Sequence, residues 1–194
     1  MKKVFLCGAG SGFGLELAHE FKKNKFEVIL NSRKTVDGFE NNFVLDMNDI
    51  KATHFEEYSP EFIVNNGFDK KSYFHSFEAS VNIVTESLNY FKKLGGGTLI
   101  NINSFYGLNP DTKDPYYAAA KYGLRGYVES VSKEAFENNI KIINFYPRAI
   151  GIGLNDGRED IELLIDPKEI CSFIVKNIDY KTFYLSNVQI DRTT

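Results

Sequence analysis

Residues 4–18 read VFLCGAGSGFGLELA, a short apolar run that turns through closely spaced glycines into an amphipathic pattern. The apolar run predicts a buried strand, and the pattern that follows predicts a helix. Glycines at such a turn let the backbone approach a pyrophosphate and present amide hydrogens at the positive end of the helix. Methyltransferases and other nucleotide-binding proteins use similar turns, and some of these turns are purely structural. The motif therefore indicates a nucleotide site without naming the ligand.

Apolar runs and helical patterns alternate along the rest of the chain. The 194 residues can bury one substantial core but are too few for two enzyme domains, so we expect a single nucleotide-binding domain over residues 1–194. Right-handed crossovers favour a single-domain, Rossmann-like, doubly wound parallel sheet of the α/β class. Expected strands cover 4–7, 26–31, 43–45, 62–65, 98–103, 140–146 and 183–190, and expected helices cover 13–24, 49–57, 77–94, 117–138 and 167–177.

Composition argues against several classes of partner. Lys and Arg total 23 against 26 for Asp and Glu, a net charge of -3 without a block of one sign, so nucleic acid and anionic membranes are not expected partners. The first apolar run is too short for a signal peptide or a membrane span. Cys7 and Cys171 lie in separate apolar elements, which suits a reducing compartment, and we expect a cytoplasmic protein. The three histidines show no metal-ligand spacing, so no metal is expected.

The end of the second predicted strand bears on the choice of cofactor. It reads Asn31, Ser32, Arg33, where NAD-specific dehydrogenases and methyltransferases usually carry a carboxylate for the ribose hydroxyls. A guanidinium beside a hydroxyl suits a 2′-phosphate, so NADP(H) is favoured over NAD(H), unless Arg33 is only a solvated loop cation. Asp46, after the third strand, either hydrogen-bonds the adenine amino group while Met47 packs on the ring, or caps the next helix.

Three side chains predict proton-transfer chemistry. Ser104 follows an apolar strand, Tyr117 lies 13 residues later, and Lys121 lies four residues after Tyr117. That last spacing puts the ammonium and the phenol on one face of a helix. We expect the ammonium, with a cationic oxidised nicotinamide close by, to lower the pKa of the phenol. Tyr117 then exchanges a proton with the substrate while Ser104 hydrogen-bonds the substrate oxygen. The alternative is an aromatic residue in a helix interface with a snorkelling lysine.

These motifs, in this order, resemble those of the classical short-chain dehydrogenase/reductases, from residue 4 to about residue 190. The resemblance implies NADP(H)-dependent interconversion of a carbonyl and an alcohol on a small or sugar-like substrate, with Ser104, Tyr117 and Lys121 as catalytic residues. It also implies that Lys121 holds the nicotinamide ribose, and that the helices from Phe77 and from Tyr117 pair subunits in a homodimer or homotetramer. The implied cofactor-binding residues are Gly8, Ser11, Gly12, Phe13, Gly14, Ser32, Arg33, Asp46, Met47, Asn66, Gly67, Pro147 and Ile150.

The chain departs from the family pattern at several points. The family's Asn-Asn-Ala-Gly is Asn65-Asn66-Gly67-Phe68 here, its Pro-Gly after the sixth strand is Pro147-Arg148, and a threonine that helps to hold the carboxamide is Ile152. The segment from Gly151 to Ile165, which would enclose a substrate, is short. A nucleotide-binding regulatory subunit, or a sugar-nucleotide epimerase or dehydratase that retains its cofactor, is therefore the alternative function.

One family position has three candidates in this sequence. Family members place an asparagine in the helix before the catalytic serine, where its backbone helps to hold a water linked to the lysine. Counting back from Ser104 by the usual spacing reaches Ser76, next to His75, whereas the only asparagine near the right place is Asn82. A displacement of six residues moves a side chain by roughly 9 Å and to another helix face. We therefore expect Ser76 or His75 at this position, and Asn82 as an ordinary helix residue.

Overall fold

The computed structural model describes residues 1–69, 72–109, 114–152 and 164–192. Its strands are β1 (Lys3–Cys7), β2 (Glu27–Ser32), β3 (Asn41–Val44), β4 (Phe62–Asn65), β5 (Gly97–Ile102), β6 (Ile140–Pro147) and β7 (Asn187–Ile190), and its helices are α1 (Gly12–Lys23), α2 (Ala52–Tyr58), α3 (Tyr73–Leu94), α4 (Pro115–Glu137) and α5 (Pro167–Lys176). All the strand pairs are parallel, in the order β3-β2-β1-β4-β5-β6-β7. The predicted doubly wound α/β fold is confirmed.

Two apolar cores cover the two faces of the sheet. On one face α1 and α5 pack together, with Leu17 and Ile174 in the core. On the other face α2, α3 and α4 contribute residues such as Phe55, Val84 and Leu124. Because both faces are covered, the central strands are apolar along most of their length.

A ladder of asparagine side chains crosses the four adjacent strands β4 to β7. Asn65, Asn101, Asn144 and Asn187 are in register on β4 to β7, and the amide of each of the first three donates to the next residue's Oδ1 at 3.0–3.1 Å. The Tyr146 hydroxyl also donates to Asn187 Oδ1 at 3.3 Å. The ladder lets buried polar groups satisfy one another inside an apolar sheet.

Element boundaries differ most from the expected ones in three places. The helix expected over 49–57 is a 3₁₀ turn (Met47–Asp49) followed by α2, because Ile50 and Lys51 are extended. Helix α3 begins at Tyr73, four residues before its expected start. The sequence did not reveal this first turn, because small polar residues such as Ser76 occupy buried positions and hide the apolar periodicity. The last strand is shorter than expected: Phe183 stacks on Tyr180 instead, with ring centroids 4.3 Å apart.

The carboxyl ends of the strands converge on one crevice. The sheet order reverses between β1 and β4, and ligands in open α/β sheets bind beside such a switch point. None of the helices in the described ranges is long and apolar enough to cross a membrane.

Candidate active site

The glycine turn after β1 is packed too tightly for side chains. Gly8 has φ +75°, and a Cβ there would lie 2.4 Å from Gly67 Cα. A Cβ on Gly14 would lie 2.3 Å from the Gly8 carbonyl oxygen, which also accepts a hydrogen bond from Asn66 Nδ2 at 3.0 Å. The β1 turn, the β4 turn and the start of α1 therefore fit together only with glycine at these positions.

Helix α1 presents its positive end to the crevice. Ser11 is the N-cap but makes no side-chain capping hydrogen bond, and the first turn, from Gly12, contains no acidic residue. Ser11, Gly12 and Phe13 all line the cleft. Uncapped amide groups at a helix N-terminus suit a phosphate, so the glycine cradle fits the pyrophosphate of a dinucleotide.

The expected 2′-phosphate residues lie at the end of β2. The Arg33 guanidinium is exposed and pairs with the Asp69 carboxylate at 3.4 Å. Asp69 is held in turn by Ser76, whose buried Oγ accepts a hydrogen bond from the Asp69 amide at 2.8 Å. The Ser32 hydroxyl donates to the Lys34 carbonyl oxygen. Arg33 thus faces the cleft together with an acidic residue that the sequence did not single out.

Asp46 caps the 3₁₀ turn that follows β3. Its Oδ1 accepts a hydrogen bond from the Asn48 amide at 3.0 Å, and this bond is the main cause that lowers the pKa of Asp46. His75 Nε2 lies 3.7 Å from the same oxygen. Met47 Sδ fills the space beside Gly67, where a Cβ would come within 2.0 Å of it. The capping alternative is thus realised, and both Asp46 and Met47 still line the cleft.

Ser104, Tyr117 and Lys121 meet at the opposite end of the cleft. Ser104 lies at the end of β5, and its Oγ accepts a hydrogen bond from the Tyr106 amide at 3.2 Å. The Ser104 hydroxyl is also close enough to the Tyr117 phenol to lower the pKa of the phenol. The Lys121 ammonium lies one turn further along α4, 5.8 Å from the centroid of the Tyr117 ring. The ammonium thus approaches the ring of Tyr117.

Burial dominates the electrostatics of this group. It raises the pKa of Tyr117 to about 12, against a smaller lowering by the hydrogen bond to Ser104. It lowers the pKa of Lys121 to about 7. Among the protein's own groups desolvation outweighs the other effects, and the ammonium is not a cause of the shift; the lowering expected with oxidised nicotinamide beside the phenol stays a prediction.

The start of α4 is fixed by a second set of polar contacts. Asp114 caps the helix, its Oδ1 accepting from the Tyr117 amide at 3.1 Å and its Oδ2 from the Tyr73 hydroxyl at 2.6 Å. The hydrogen bond to Asp114 is the main cause that raises the pKa of Tyr73. Buried Asn103 donates to the Lys121 carbonyl oxygen at 3.3 Å. These contacts orient both ends of the Tyr117–Lys121 turn.

Three aromatic rings surround Tyr117, and two of them are not identifiable as site residues from the sequence. Ring centroids of Phe68, Tyr106 and Tyr73 lie 4.8, 5.8 and 6.1 Å from that of Tyr117. Phe68 is detectable in the sequence, because it stands where the family pattern has a small residue. Nothing in the sequence around Tyr73 or Tyr106 indicates that these two rings contact Tyr117.

The expected nicotinamide end follows β6. Pro147 and Ile150 line the cleft. Arg148, between them, binds Asp191 at 3.0 Å and lies over the Phe105 ring at 4.5 Å. Most of the segment expected to enclose a substrate, residues 151–165, lies outside the described residues, although Ile150 pairs with Ile165 in a β-bridge.

From its spacing we expected Asn82 to be an ordinary helix residue, but its side chain makes two hydrogen bonds outside α3. Its Nδ2 donates to the carbonyl oxygens of Met47 and Ile50, at 2.9 Å each. It therefore ties α3 to the 3₁₀ turn after β3 and gives both carbonyl groups a donor. Ser76 instead holds Asp69, and His75 contacts Asn48 at 3.0 Å.

All the site residues expected from the sequence line one cleft of about 750 Å³. In the described ranges no group of three His, Cys, Asp or Glu side chains could hold a metal ion. The cleft combines an anion cradle at one end with a hydroxyl, a phenol and an ammonium at the other. Such an arrangement can hold a dinucleotide and transfer a proton to an oxygen atom of a second ligand.

Comparison with known proteins agrees with this geometry. The family model for short chain dehydrogenase matches residues 65–160, the part that runs from the end of β4 past β6. A 3-ketodihydrosphingosine reductase of Bacteroides thetaiotaomicron is 28% identical over 115 residues, which cover 59% of this chain and 39% of the reductase. The matched part thus spans about two fifths of that relative's length.

Solved structures share the fold over nearly the whole chain. ElxO with NADP bound superposes with a TM-score of 0.80 at 18% identity, covering 98% of this chain and 97% of ElxO. A 4-hydroxyisoleucine dehydrogenase complexed with NADH gives a TM-score of 0.78 at 20% identity, covering 98% and 97%. At these identities the likeness shows the common fold.

Proposed function

Because the chain belongs to the short-chain dehydrogenase/reductase family, we propose that it is an NADP(H)-dependent oxidoreductase that interconverts a carbonyl group and an alcohol on a small or sugar-like substrate. The observation that carries the proposal is the meeting of Ser104, Tyr117 and Lys121 in the cleft that also contains the glycine cradle. The family assignment supports oxidoreductase chemistry, and the choice of NADP(H) rests on Arg33.

The chain's own residues account for binding and proton transfer. The α1 amides and the glycine turn would hold the pyrophosphate, with Asp46 and Met47 at the adenine and Asn66, Gly67, Pro147 and Ile150 along the cleft. Bound NADP(H) supplies or accepts the hydride. Tyr117, protonated at neutral pH because its pKa is raised to about 12, donates its proton to the carbonyl oxygen during reduction. Ser104 hydrogen-bonds that oxygen as charge develops on it.

The Arg33–Asp69 pair is compatible with a preference for NADP(H). Arg33 is 72% exposed and the ion pair is a surface one, so its strength is small, on the order of 0–1 kcal/mol. A 2′-phosphate carries more charge than a carboxylate and accepts a bidentate guanidinium contact. It therefore competes effectively for Arg33. One of the solved relatives contains NADP and the other NADH, so Arg33 is the residue that argues for the phosphate here.

The test is NADPH oxidation over a panel of carbonyl compounds and keto-sugars, together with titration of NADP(H) and NAD(H). We expect turnover of at least one carbonyl and tighter binding of NADP(H), with the preference reduced in Arg33→Ala. Equal affinity for the two cofactors, or an unchanged preference in the variant, would contradict the cofactor assignment. A purified protein that carries cofactor and never consumes NADPH would support the epimerase or dehydratase alternative.

Exposed aromatic residues and buried thiols bear on the oligomeric state and the cellular compartment of the protein. We infer a homodimer or homotetramer, because the two long helices α3 and α4 expose Phe74, Tyr116 and Phe136, each more than 60% accessible. The buried free thiols Cys7 and Cys171, whose pKa values are raised by burial, are consistent with a reducing cytoplasm.

A further inference from the structure

One aromatic ring contacts both the ammonium and the phenol of the proposed catalytic group. The Phe68 ring centroid lies 4.5 Å from Lys121 Nζ. The same ring meets the Tyr117 ring edge to face, with centroids 4.8 Å apart and an interplanar angle of 77°. A large residue therefore lies against Lys121 where the family pattern has a small one.

The ring is the principal neighbour of the Lys121 charge. Lys121 is 4% exposed, and in the described part of the chain its ammonium has no hydrogen bond or ion pair. A desolvated ammonium over an aromatic face is attracted by the ring quadrupole, and the attraction grows as water is excluded. Phe68 thus both stabilises the ammonium and covers one of its faces.

The backbone on both sides of Phe68 is anchored, so the position of the ring is defined by the fold. On one side, Gly67 is wedged against Gly8 and Met47. On the other side, the Asp69 amide donates to the buried Ser76 Oγ at 2.8 Å. The side chain of Phe68 is half-buried between these anchors.

We propose that Phe68 is a positioning residue whose ring competes with the nicotinamide half of the cofactor for the exposed face of the Lys121 ammonium. The inference rests on the proposed function, in which Lys121 holds the nicotinamide ribose. The competition between Phe68 and the nicotinamide half is confined to the end of the cleft that contains Lys121. The adenosine end, around Arg33 and Asp46, is bound independently of Phe68.

The consequence is a difference between two ligands. NADPH reaches both ends of the cleft, whereas adenosine 2′,5′-bisphosphate carries only the adenosine half. Shortening Phe68 should therefore tighten NADPH and leave the half-ligand unchanged. The expected gain is about five-fold, within the range of a partly desolvated cation–π contact.

The experiment measures the Kd of both ligands by titration calorimetry for the intact chain and for three variants. Phe68→Ala removes the ring, Phe68→Leu keeps apolar bulk without the ring, and Phe173→Ala removes an exposed aromatic on α5, outside the cleft. We expect tighter NADPH binding in Phe68→Ala, a smaller gain in Phe68→Leu, no change in Phe173→Ala, and half-ligand affinities within about two-fold throughout.

Unchanged or weaker NADPH binding in Phe68→Ala, with the half-ligand still bound, would overturn the inference and leave the proposed function intact. If Phe68→Ala loses both ligands because it misfolds, Phe68→Leu decides: a gain for NADPH alone supports the inference, and no gain overturns it. Failure of the half-ligand to bind the unaltered protein would overturn the proposed NADP(H) function, and the inference with it.

Discussion

At the scale of single residues, the character of Tyr117 depends on burial more than on its charged neighbour. Its pKa is raised to about 12, and the pKa of Lys121 is lowered to about 7, both mainly by desolvation. Spacing on a helix predicts that two side chains share a face, but it does not say which atoms approach. Here the ammonium approaches the ring of Tyr117, and the group that lowers the pKa of the phenol is Ser104.

Tyr117→Phe removes only the proton-donating oxygen, because the ring contacts with Phe68 and Tyr106 remain possible. We expect turnover of an identified carbonyl to fall by roughly 10²–10⁴-fold, the usual worth of general acid catalysis, with the Kd of NADPH nearly unchanged. Steady-state kinetics and cofactor titration measure the two effects separately. Near-normal turnover would mean that another group donates the proton.

At the scale of elements, the fold follows directly from the sequence, and the site only in part. The strand at 4–7 and its glycine turn predict β1, α1 and the crevice, because backbone geometry alone requires them. The aromatic neighbours of Tyr117 are not predictable in this way, since Tyr73 and Tyr106 reach it only through tertiary packing. Asn82 was misjudged for the same reason: helix spacing says nothing about a turn 35 residues earlier.

Two residues of α3 hold two different loops. Asn82 holds the 3₁₀ turn after β3, and Ser76 holds Asp69 in the loop after β4. We expect Asn82→Ala to lower the free energy of unfolding by about 1–3 kcal/mol, because two carbonyl groups lose their donor. We expect Ser76→Ala to change NADPH affinity and kcat through the Asp69 and Phe68 loop.

Denaturant unfolding and steady-state kinetics on both variants separate these roles, with exposed Asn89→Ala as the control on the same helix. Asn89→Ala should change stability by at most about 0.5 kcal/mol. The assignment is wrong if stably folded Asn82→Ala loses turnover while Ser76→Ala keeps it. That outcome would place Asn82 at the family's asparagine position.

At the scale of the whole molecule, the protein combines a hydrogen-bonded ladder of polar side chains in the sheet with a buried charge on α4. The ladder from Asn65 to Asn187 satisfies most of its amide groups within the sheet. Lys121 instead lies under Phe68 without an ion pair in the described ranges. A charge buried in this way opposes folding, and its protonation should therefore be coupled to global stability.

This coupling predicts how stability changes with pH. The pKa of Lys121 is about 7 in the folded protein and near its ordinary 10.5 in the unfolded chain, so unfolding takes up a proton between these values. The free energy of unfolding gained from this site rises with pH above about 7, by at most about 1.4 kcal/mol per pH unit, and is lost as pH falls through 7.

Urea unfolding of the unaltered protein and of Lys121→Met, between about pH 7 and about pH 9, isolates the site because other titrations cancel. Lys168→Met, exposed on α5, should run parallel to the unaltered protein. If Lys121→Met also runs parallel, Lys121 keeps its proton in the folded state, and the ring of Phe68 compensates for its desolvation.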